Sequence, residues 1–309
     1  MTYKIGVDGG GTKTEGMLLD ASGKMVTGHI GAGCNPSIAG PAQAASILTA
    51  AIQSLRAQAA THFAEAHGRP ADPATLISDT LLCMAGHRSF WRETADGLHG
   101  FGRVVTTDDS LPVLELATDG RPGLVLHSGT GSFVAARAPD GSVHYAGGLG
   151  WRFGDAGSGY DLGRRAVTRG LLELQGWAPL SRLGPAVREH AGLGEGTDAG
   201  NVTRFYYQHA EPNRLIAALA PVVLRLASER DQAAQEIVLA STGDLLDFAV
   251  SVATKLFSAA MIPTLSAGLS GSILTHPVAH EALVARAPFA LIPIAETPIE
   301  GVRRMLART

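Results

Sequence analysis

Two short glycine-rich segments contain the residue types that proteins use to bind phosphate groups. Residues 9–14 read Gly-Gly-Gly-Thr-Lys-Thr, and residues 128–132 read Ser-Gly-Thr-Gly-Ser. Glycine lets backbone N–H groups approach an anion closely, and hydroxyl and ammonium side chains add further donors. The first segment therefore predicts a phosphate-binding loop, against the simpler alternative of a tight hairpin turn without a ligand.

The residues around the first segment exclude two familiar kinds of phosphate loop. A Walker loop has lysine directly after its last glycine, but here Thr12 separates Gly11 from Lys13. A dinucleotide-binding loop opens a helix, whereas residues 14–19 have the pattern of a strand. The sequence therefore predicts a hairpin whose glycine N–H groups face phosphate oxygens, with further donors from Thr12 and from Lys13 or Thr14.

Two aspartates stand at the ends of predicted strands, where a carboxylate can do chemistry. Asp8 ends the first strand beside the glycine-rich segment, so it can hold Mg²⁺ through water or merely cap the loop. Asp108 follows a strand and precedes a helix that begins near Ser110. A carboxylate there can act as a general base toward a hydroxyl, or Asp108 or Asp109 can stabilise the helix dipole. Both alternatives stay open.

Residues 147–159 contain six glycines in thirteen positions, with Asp155 as their one acidic residue. Glycine costs backbone entropy on folding, so this density indicates a loop that a ligand approaches closely. Asp155 can bind the hydroxyls of a polyhydroxylated ligand, and Trp151 can stack on a sugar or pack within the protein. Asn35 offers both an amide donor and an acceptor for sugar hydroxyls.

The predicted elements place the two glycine-rich segments at equivalent points of a repeated unit. In each copy a strand leads into the glycine-rich turn, a second strand returns, and a third follows after another turn. This repeat favours a duplicated β-β-β-α design in which both copies face one ligand. The strands cover residues 3–8, 15–19, 25–30, 80–85, 103–107, 124–127, 133–137, 142–146 and 264–267, and helices cover 41–67, 161–175, 213–228 and 232–257, with two more from 277 and 298.

The composition narrows the class of protein. The 309 residues are 45% hydrophobic and 17% charged, as in an ordinary globular protein, and the net charge of -3 argues against a nucleic-acid binder. The apolar stretch 215–227 contains Pro221 and Arg225 and is too short to cross a bilayer. Two cysteines, Cys34 and Cys83, are too few for a disulfide framework. With no evident secretory signal, we expect a cytoplasmic protein.

On these motifs the chain resembles the N-acetylglucosamine kinase and glucosamine kinase group of the BadF/BadG-type ATPases. That group belongs to the sugar kinase/heat-shock protein/actin superfamily. The corresponding segments occur in the family's order and run through nearly the whole chain, which is far more specific than any single motif. The matching residues are 8–14, 35, 106–108, 128–132, 154–155 and 157–158, with weaker matches at 268–270 and 298–301.

The resemblance implies an α/β fold of two ribonuclease H-like (actin-like ATPase) domains, with a cleft between them that holds ATP and a sugar. We expect residues 1–118, joined by a C-terminal helix over 297–309, to form the first domain. Residues 119–296 are then the second domain. The resemblance also implies a homodimer, with no nucleic-acid or membrane partner.

The resemblance further implies a role for each matching residue. Asp108 is expected to be the base that takes the proton from the 6-hydroxyl of the sugar, and Asp8 is expected to hold Mg²⁺ beside ATP. The expected sugar-binding residues are Asn35, Asp108, Gly148, Leu149 and Asp155. The expected nucleotide- and phosphate-binding residues are Gly10, Gly11, Thr12, Lys13, Thr130, Gly131, Gly268 and Ser270.

Two positions depart from the family pattern. The family often has tryptophan in place of Leu149 and glutamate in place of Ala156, both beside the sugar. The acceptor is therefore N-acetylglucosamine, glucosamine or another hexose, and phosphoryl transfer from ATP with Mg²⁺ is expected in each case. Two other functions stay open. One is an ATPase that reactivates a radical dehydratase or reductase through an iron–sulfur cluster, and the other is a non-catalytic sugar or nucleotide sensor.

Overall fold

The computed structural model describes residues 2–308. The chain divides into two compact units, and each contains its own five-stranded sheet. The first unit comprises the residues up to Leu116 together with those from Glu296 onward, and the second comprises Ala117–Ala295. The C-terminal helix therefore packs with the N-terminal part of the chain.

The sheet of the first unit combines two antiparallel hairpins with a parallel half. Its strands are β1 (Tyr3–Gly9), β2 (Lys13–Leu19), β3 (Met25–Ala32), β4 (Ile77–Met84) and β5 (Arg103–Asp108). They lie in the order β3-β2-β1-β4-β5. The pairs β1–β2 and β2–β3 are antiparallel, whereas β1, β4 and β5 run parallel. The carboxyl ends of these three parallel strands therefore meet at one edge of the sheet.

Helices cover both faces of this sheet. The long helix over residues 41–67 was predicted from apolar residues at helical spacing, and the structure confirms it. The short helices at 36–39, 73–76 and 88–96 were not predicted. The helices that begin in the first unit are α1 (Pro36–Ala39), α2 (Pro41–His67), α3 (Pro73–Leu76), α4 (Arg88–Asp96), α5 (Ser110–Thr118) and, at the end of the chain, α13 (Pro298–Ala307).

Strand β1 shows how the sequence specifies these two faces. Ile5 and Val7 lie in one buried cluster with Leu48 of α2. Gly6 points to the opposite face, because successive residues of a strand alternate. A β-carbon on Gly6 would lie 2.8 Å from Cγ1 of Val302 in α13. The missing side chain at Gly6 therefore lets α13 lie close against the sheet.

The second unit repeats the strand arrangement of the first. Its strands are β6 (Gly123–Ser128), β7 (Ser132–Arg137), β8 (Val143–Gly147), β9 (Ser266–Ser270) and β10 (Ala290–Pro293). Their order, β8-β7-β6-β9-β10, has the same antiparallel half and the same parallel half as the first sheet. The repeat predicted from the glycine-rich hairpins is thereby confirmed.

The rest of the second unit is mostly helical. Helix α11 is long and apolar enough to cross a membrane, with a mean hydropathy of 1.5, but half of that window is buried within the protein. Leu245 and Leu246 of α11 pack in one core cluster with Leu126 of the sheet, as in a core helix of a globular protein. The helices are α6 (Gly159–Leu174), α7 (Leu183–His190), α8 (Ala199–Gln208), α9 (Pro212–Ala217), α10 (Ala220–Ser228), α11 (Gln232–Leu256) and α12 (Pro277–Val284), with a 3₁₀ turn at Ile262–Thr264.

Two predicted elements of the second unit were wrong in their bounds. The single helix predicted over residues 213–228 is two helices, α9 and α10, because Pro221 near the start of α10 has no N–H to donate to the preceding turn. The strand predicted over residues 264–267 is β9, which begins later and continues to Ser270. Gly268 therefore lies within a strand and not in a turn.

Candidate active site

The candidate residues of the first unit gather at the edge where β1, β4 and β5 end. The register aligns Asp8 with Thr107 across β4, and in the next row it aligns Gly9 with Asp108. Asp8 and Asp108 are far apart in sequence, but they lie one row apart with a single strand between them. The carboxyl ends of parallel strands are where α/β proteins commonly bind their ligands.

Asp8 is a buried carboxylate with a second acidic residue beside it. It lies opposite Glu15 in the β1–β2 ladder, and Glu15 forms an ion pair with Lys13 (Oε2–Nζ, 2.8 Å). Burial, and then the charge of Glu15, raise the pKa of Asp8 to about 7, against the opposing effect of Lys13. A cation would offset this buried charge, so the residues present fit Mg²⁺ held by one carboxylate, water and phosphate oxygens. Within residues 2–308, no three or more His, Cys, Asp or Glu side chains form a metal site by themselves.

The first glycine-rich hairpin is held in place by backbone hydrogen bonds on both sides. The N–H of Gly10 donates to the carbonyl of Lys13 (3.0 Å), and the carbonyl of Gly10 accepts from the N–H of Cys34 (3.0 Å). Gly10 therefore shapes the hairpin. The N–H groups of Gly11 and Thr12 have no backbone acceptor within the described chain, so they are available to an anion.

Asp108 is held by two donors at the end of β5. The N–H of Ser110 donates to Oδ1 (3.1 Å), and Nη2 of Arg88 donates to Oδ2 (3.2 Å). The contact with Ser110 shows that Asp108 supports the start of α5. This agrees with the alternative in which Asp108 stabilises the N-terminus of that helix. The same carboxylate stands at the end of β5, in the same row as Gly9 with β4 between them, so the structural and the chemical roles are compatible.

Asp109 is the acidic residue whose importance the sequence did not reveal. Burial, then the charges of Asp108 and Asp8, and then a side-chain hydrogen bond with Asp108 raise the pKa of Asp109 to about 7. In its protonated form, Asp109 donates this hydrogen bond to Asp108. In the sequence, Asp109 appears only as a second acidic residue directly after Asp108. This pattern does not show which of the two is the base and which donates a hydrogen bond to the other.

Asn35 begins α1 directly after Cys34, the residue that contacts the glycine-rich hairpin. Its Oδ1 accepts a hydrogen bond from the N–H of Ser37 (2.9 Å), which caps the helix. Its amide nitrogen has no hydrogen-bond partner among residues 2–308. Asn35 can therefore donate to a ligand without giving up its structural contact.

The second glycine-rich hairpin is fastened to the segment 147–159. Oγ of Ser128 donates to the carbonyl of Gly157 (2.6 Å), and Oγ of Ser132 donates to the carbonyl of Ala156 (2.7 Å). The N–H groups of Thr130 and Gly131 have no backbone acceptor within residues 2–308. This hairpin therefore offers an anion the same kind of free donor as the first.

Asp155 lies against this hairpin in an unusual backbone conformation. Its φ is +83°, and its Oδ2 lies 3.0 Å from the place where a β-carbon on Gly131 would be. Burial raises the pKa of Asp155, although the backbone N–H groups of Gly150 and Ser132 oppose this shift. Its Oδ1 is buried and has no hydrogen-bond partner within the described chain. A strained residue with an unused acceptor is typical of a binding site.

The structure brings Gly148 and Leu149 to the start of the same segment. The N–H of Gly148 donates to the carbonyl of Ser132 (3.1 Å), which ties it to the second hairpin. Leu149 is 63% exposed. Trp151 is 36% exposed, and its ring centroid lies 5.4 Å from that of Tyr160. Trp151 thus packs against Tyr160 and keeps part of its ring exposed to solvent. The structure is therefore compatible with both alternatives, packing within the protein and stacking on a sugar.

The two candidate residues of β9 differ in what they can reach. Gly268 is buried within the strand against Ala117, so it contributes packing. Oγ of Ser270 lies 3.1 Å from Nδ1 of His127, whose ring stacks on Phe133 (4.8 Å between centroids). Burial lowers the pKa of His127 to about 4, so its imidazole is neutral. His127 connects β9 to the second hairpin, and no motif in the sequence pointed to it.

Comparison with known proteins gives one family and several relatives. The model of the BadF/BadG/BcrA/BcrD ATPase family matches residues 5–287. The chain is 26% identical over 176 residues to the N-acetylmuramic acid/N-acetylglucosamine kinase of Clostridium acetobutylicum, covering 55% of this chain and 54% of that protein. It is 27% identical over 193 residues to the glucosamine kinase of Vibrio cholerae, covering 62% of each. These matches span between half and two thirds of the curated relatives.

A solved structure matches over nearly the whole chain. It is the crystal structure of a proposed N-acetylglucosamine kinase from Chromobacterium violaceum, with a TM-score of 0.74, 25% sequence identity and coverage of 99% of each chain. This similarity, together with the two repeated sheets, confirms the predicted α/β fold of two ribonuclease H-like domains.

Proposed function

The chain belongs to the BadF/BadG/BcrA/BcrD ATPase family, and we propose that it is an ATP-dependent kinase that phosphorylates the 6-hydroxyl of a small amino sugar. One observation carries most of this proposal. The two sheets place a glycine-rich hairpin at the same point of their topology, and each hairpin has N–H groups without an acceptor among residues 2–308. Such paired hairpins suit the phosphate groups of one nucleotide.

In this proposal the backbone holds the phosphate groups. The free N–H groups of Gly11 and Thr12 act in the first hairpin, and those of Thr130 and Gly131 act in the second. The ammonium group of Lys13 forms an ion pair with Glu15. Its main contribution to phosphate binding is therefore its positive charge and not a free hydrogen-bond donor. Fixed donors of this kind stabilise charge without reorganising during the reaction.

Asp108 is the proposed general base. Its carboxylate accepts the proton of the 6-hydroxyl while the sugar oxygen forms a bond to the γ-phosphorus, and the bond from that phosphorus to the leaving oxygen of ADP breaks. Arg88 and the N–H of Ser110 fix the orientation of the carboxylate. Asp109, whose pKa is raised to about 7, donates a hydrogen bond to Asp108 when it is protonated and so helps to position that side chain.

The sugar is proposed to be N-acetylglucosamine or glucosamine. Asn35 has a free amide donor, and Asp155 has a buried oxygen without a partner within residues 2–308. One donor and one acceptor of this kind match the hydroxyls of a sugar ring. The names of the two curated relatives, kinases of N-acetylmuramic acid and N-acetylglucosamine and of glucosamine, support this acceptor class.

Mg²⁺ is the proposed metal, with Asp8 as its protein ligand through water. When bound with ATP, it supplies positive charge that offsets the charge of the phosphate groups. The carboxylate of Asp8 would hold the metal through its bound water. Cytoplasmic location and a homodimer complete the proposal, and the homodimer rests on the family resemblance.

Two buried cysteines argue against the activator function. Cys34 lies in the cluster that α2 covers, whereas Cys83 lies in the cluster that α13 covers, so the two thiols face opposite sides of the sheet. Burial raises the pKa of both thiols. A shared iron–sulfur cluster requires accessible thiolates from each subunit. The kinase therefore accounts for the geometry better than the activator does.

A coupled ADP-release assay tests the proposal across glucosamine, N-acetylglucosamine, N-acetylmannosamine and glucose. We expect ADP release that depends on the sugar and is fastest with one of the first two. Release at the sugar-free rate with all four acceptors, from protein that binds ATP, contradicts the kinase and favours the sensor.

A further inference from the structure

His127 stands at the same point of the second sheet as Asp8 does in the first. Asp8 lies one residue before the end of β1 and pairs with β2 across the hairpin and with the parallel strand β4. His127 lies one residue before the end of β6 and pairs with β7 across the hairpin and with the parallel strand β9. The repeat therefore places an imidazole in the second unit where the first unit has a carboxylate. The proposed function assigns Asp8 to the metal and leaves His127 without a role.

The imidazole of His127 is held at one edge and on one face. Its Nδ1 lies 3.1 Å from Oγ of Ser270 on β9, and its ring stacks on that of Phe133 with 18° between the two planes. Phe133 in turn stacks on Tyr145, with 5.2 Å between the ring centroids. Because these neighbours fix the ring before any ligand arrives, a ligand that contacts it meets a preorganised group.

The second nitrogen of this ring is unused. Nε2 of His127 has no hydrogen-bond partner among residues 2–308, and it is not one of the buried nitrogen atoms of that part of the chain. It lies beside the second glycine-rich hairpin, since a β-carbon on Gly129 would be 3.6 Å from it. The same hairpin contains the N–H groups of Thr130 and Gly131, which have no backbone acceptor within residues 2–308. The ring and the hairpin therefore offer unused groups at one end of β6.

The bond at Nδ1 decides what Nε2 can do. When the hydroxyl of Ser270 donates to Nδ1, the neutral ring carries its proton on Nε2 and becomes a donor there. Burial, which lowers the pKa of His127 to about 4, keeps the ring neutral at pH 7. Mg²⁺ prefers oxygen ligands, so this nitrogen suits a phosphate oxygen better than the metal.

We propose that Nε2–H of His127 donates a hydrogen bond to the phosphate group that the second hairpin receives. This inference rests on the proposed function in that it takes the ligand to be a nucleotide. It adds a side-chain donor to the backbone N–H groups of Thr130 and Gly131. Two equivalent positions of the repeated sheets then serve different parts of one ligand, Asp8 the metal and His127 a phosphate group.

Calorimetric titration with ADP and with adenosine tests the inference without requiring turnover. ADP carries the phosphate groups that adenosine lacks, so the ratio of the two Kd values isolates their binding. His127→Phe keeps an aromatic ring beside Phe133 but removes both nitrogens. Since hydrogen bonds to charged groups are among the strong ones, this variant should weaken ADP binding about ten-fold and leave adenosine binding unchanged. His127→Gln retains an amide donor on a side chain of similar reach, so it should recover much of the loss.

A second histidine of the same sheet provides the control. His144 is exposed on β8, and His144→Phe should leave the ratio of the two Kd values unchanged. The same ratio in His127→Phe as in the unmodified protein overturns the inference, as does ADP that binds no more tightly than adenosine. A loss in His127→Phe that occurs only when Mg²⁺ is present assigns the ring to the metal and also overturns it.

Nitrogen NMR of protein labelled with ¹⁵N at histidine reads the ring directly. The signals that are missing from His127→Gln belong to His127. ADP should shift the signal of Nε2 and leave that nitrogen protonated, whereas adenosine should not shift it. A proton on Nδ1 in the ADP complex contradicts the proposed donor. Failure of the kinase proposal is a separate result, because it gives no sugar-dependent ADP release while the ratio of Kd values and the NMR shifts remain measurable.

Discussion

The carboxylate of Asp155 lies directly against Gly131, so that a β-carbon on residue 131 would come within 3.0 Å of Oδ2. Asp155 is proposed to bind the sugar, and Gly131 is proposed to bind a phosphate group. This contact fixes the two recognition elements relative to each other within the second unit. Any side chain at residue 131 must therefore displace one of them.

Gly131→Ala should lower kcat/KM for the sugar by about 10–100-fold, because a small displacement of a positioning residue is enough to misalign the reacting groups. Gly129→Ala is the matched control in the same hairpin, since its β-carbon would meet only Nε2 of His127 at 3.6 Å. Steady-state kinetics of the two variants check this. Equal activities would show that the contact between Asp155 and Gly131 is not needed.

Asp108→Asn should keep ATP and sugar binding while turnover falls by about 10²–10⁴-fold, the usual contribution of a general base. Asp109→Asn retains an amide donor toward Asp108, so its turnover should fall much less. Its rate should also lose the part of its pH dependence that comes from the pKa of Asp109 near 7. Rates measured from pH 5 to 9 compare the variants. Normal turnover in Asp108→Asn together with an inactive Asp109→Asn would assign the base to Asp109.

Asp8→Asn should stabilise the metal-free protein at high pH. The pKa of Asp8 rises from 3.8 to about 7 on folding, so between these values the folded state binds more protons than the unfolded state. The carboxyl group therefore lowers the free energy of unfolding as the pH rises through this window. The variant should gain up to about 4 kcal/mol at pH 8 and little at pH 4.

Urea denaturation in EDTA at the two pH values measures this difference. Asp20→Asn, in the turn after β2, is the control. Hydrogen bonds from Ser22 lower the pKa of Asp20, so replacing this carboxylate should destabilise the protein at high pH. If the Asp8→Asn variant is less stable than the unmodified protein at pH 8, the carboxylate of Asp8 is not a buried, uncompensated charge.

His127 should make the protein less stable in mild acid. Its pKa falls from 6.5 to about 4 on folding, so between these values the unfolded state binds more protons. The free energy of unfolding therefore decreases as the pH falls from 6.5 toward 4. His127→Gln should flatten this part of the stability curve, while the same change at the exposed His99 should not. A curve that His127→Gln leaves unchanged would show that the imidazole accepts a proton freely in the folded state.

Local signals were sufficient for much of the fold. The glycine-rich turns between alternating apolar residues indicated both hairpin units, and the spacing of apolar residues indicated α2 and α11. The repeat indicated the three antiparallel strands of each sheet but not the parallel strands that complete them. Strand β10 was missed because four mostly exposed residues carry little pattern.

The sequence suggested candidate site residues only where they form motifs. Asp8, Asp108 and the two hairpins stand beside glycine or at predicted strand ends, so residue type and position marked them as candidates. The contact of His127 with Ser270 joins residues 143 positions apart and depends on the pairing of β6 with β9. Asp109 gains its raised pKa from burial and from neighbouring charges, which no local pattern encodes.

Two-dimensional ³¹P–¹H NMR of the reaction with ATP, Mg²⁺ and glucosamine or N-acetylglucosamine tests the kinase most directly. We predict a new phosphorus signal that correlates with the two protons on carbon 6 of the sugar, and that is absent from the Asp108→Asn reaction. ATP that remains intact with both sugars, or that yields only inorganic phosphate, would contradict the account.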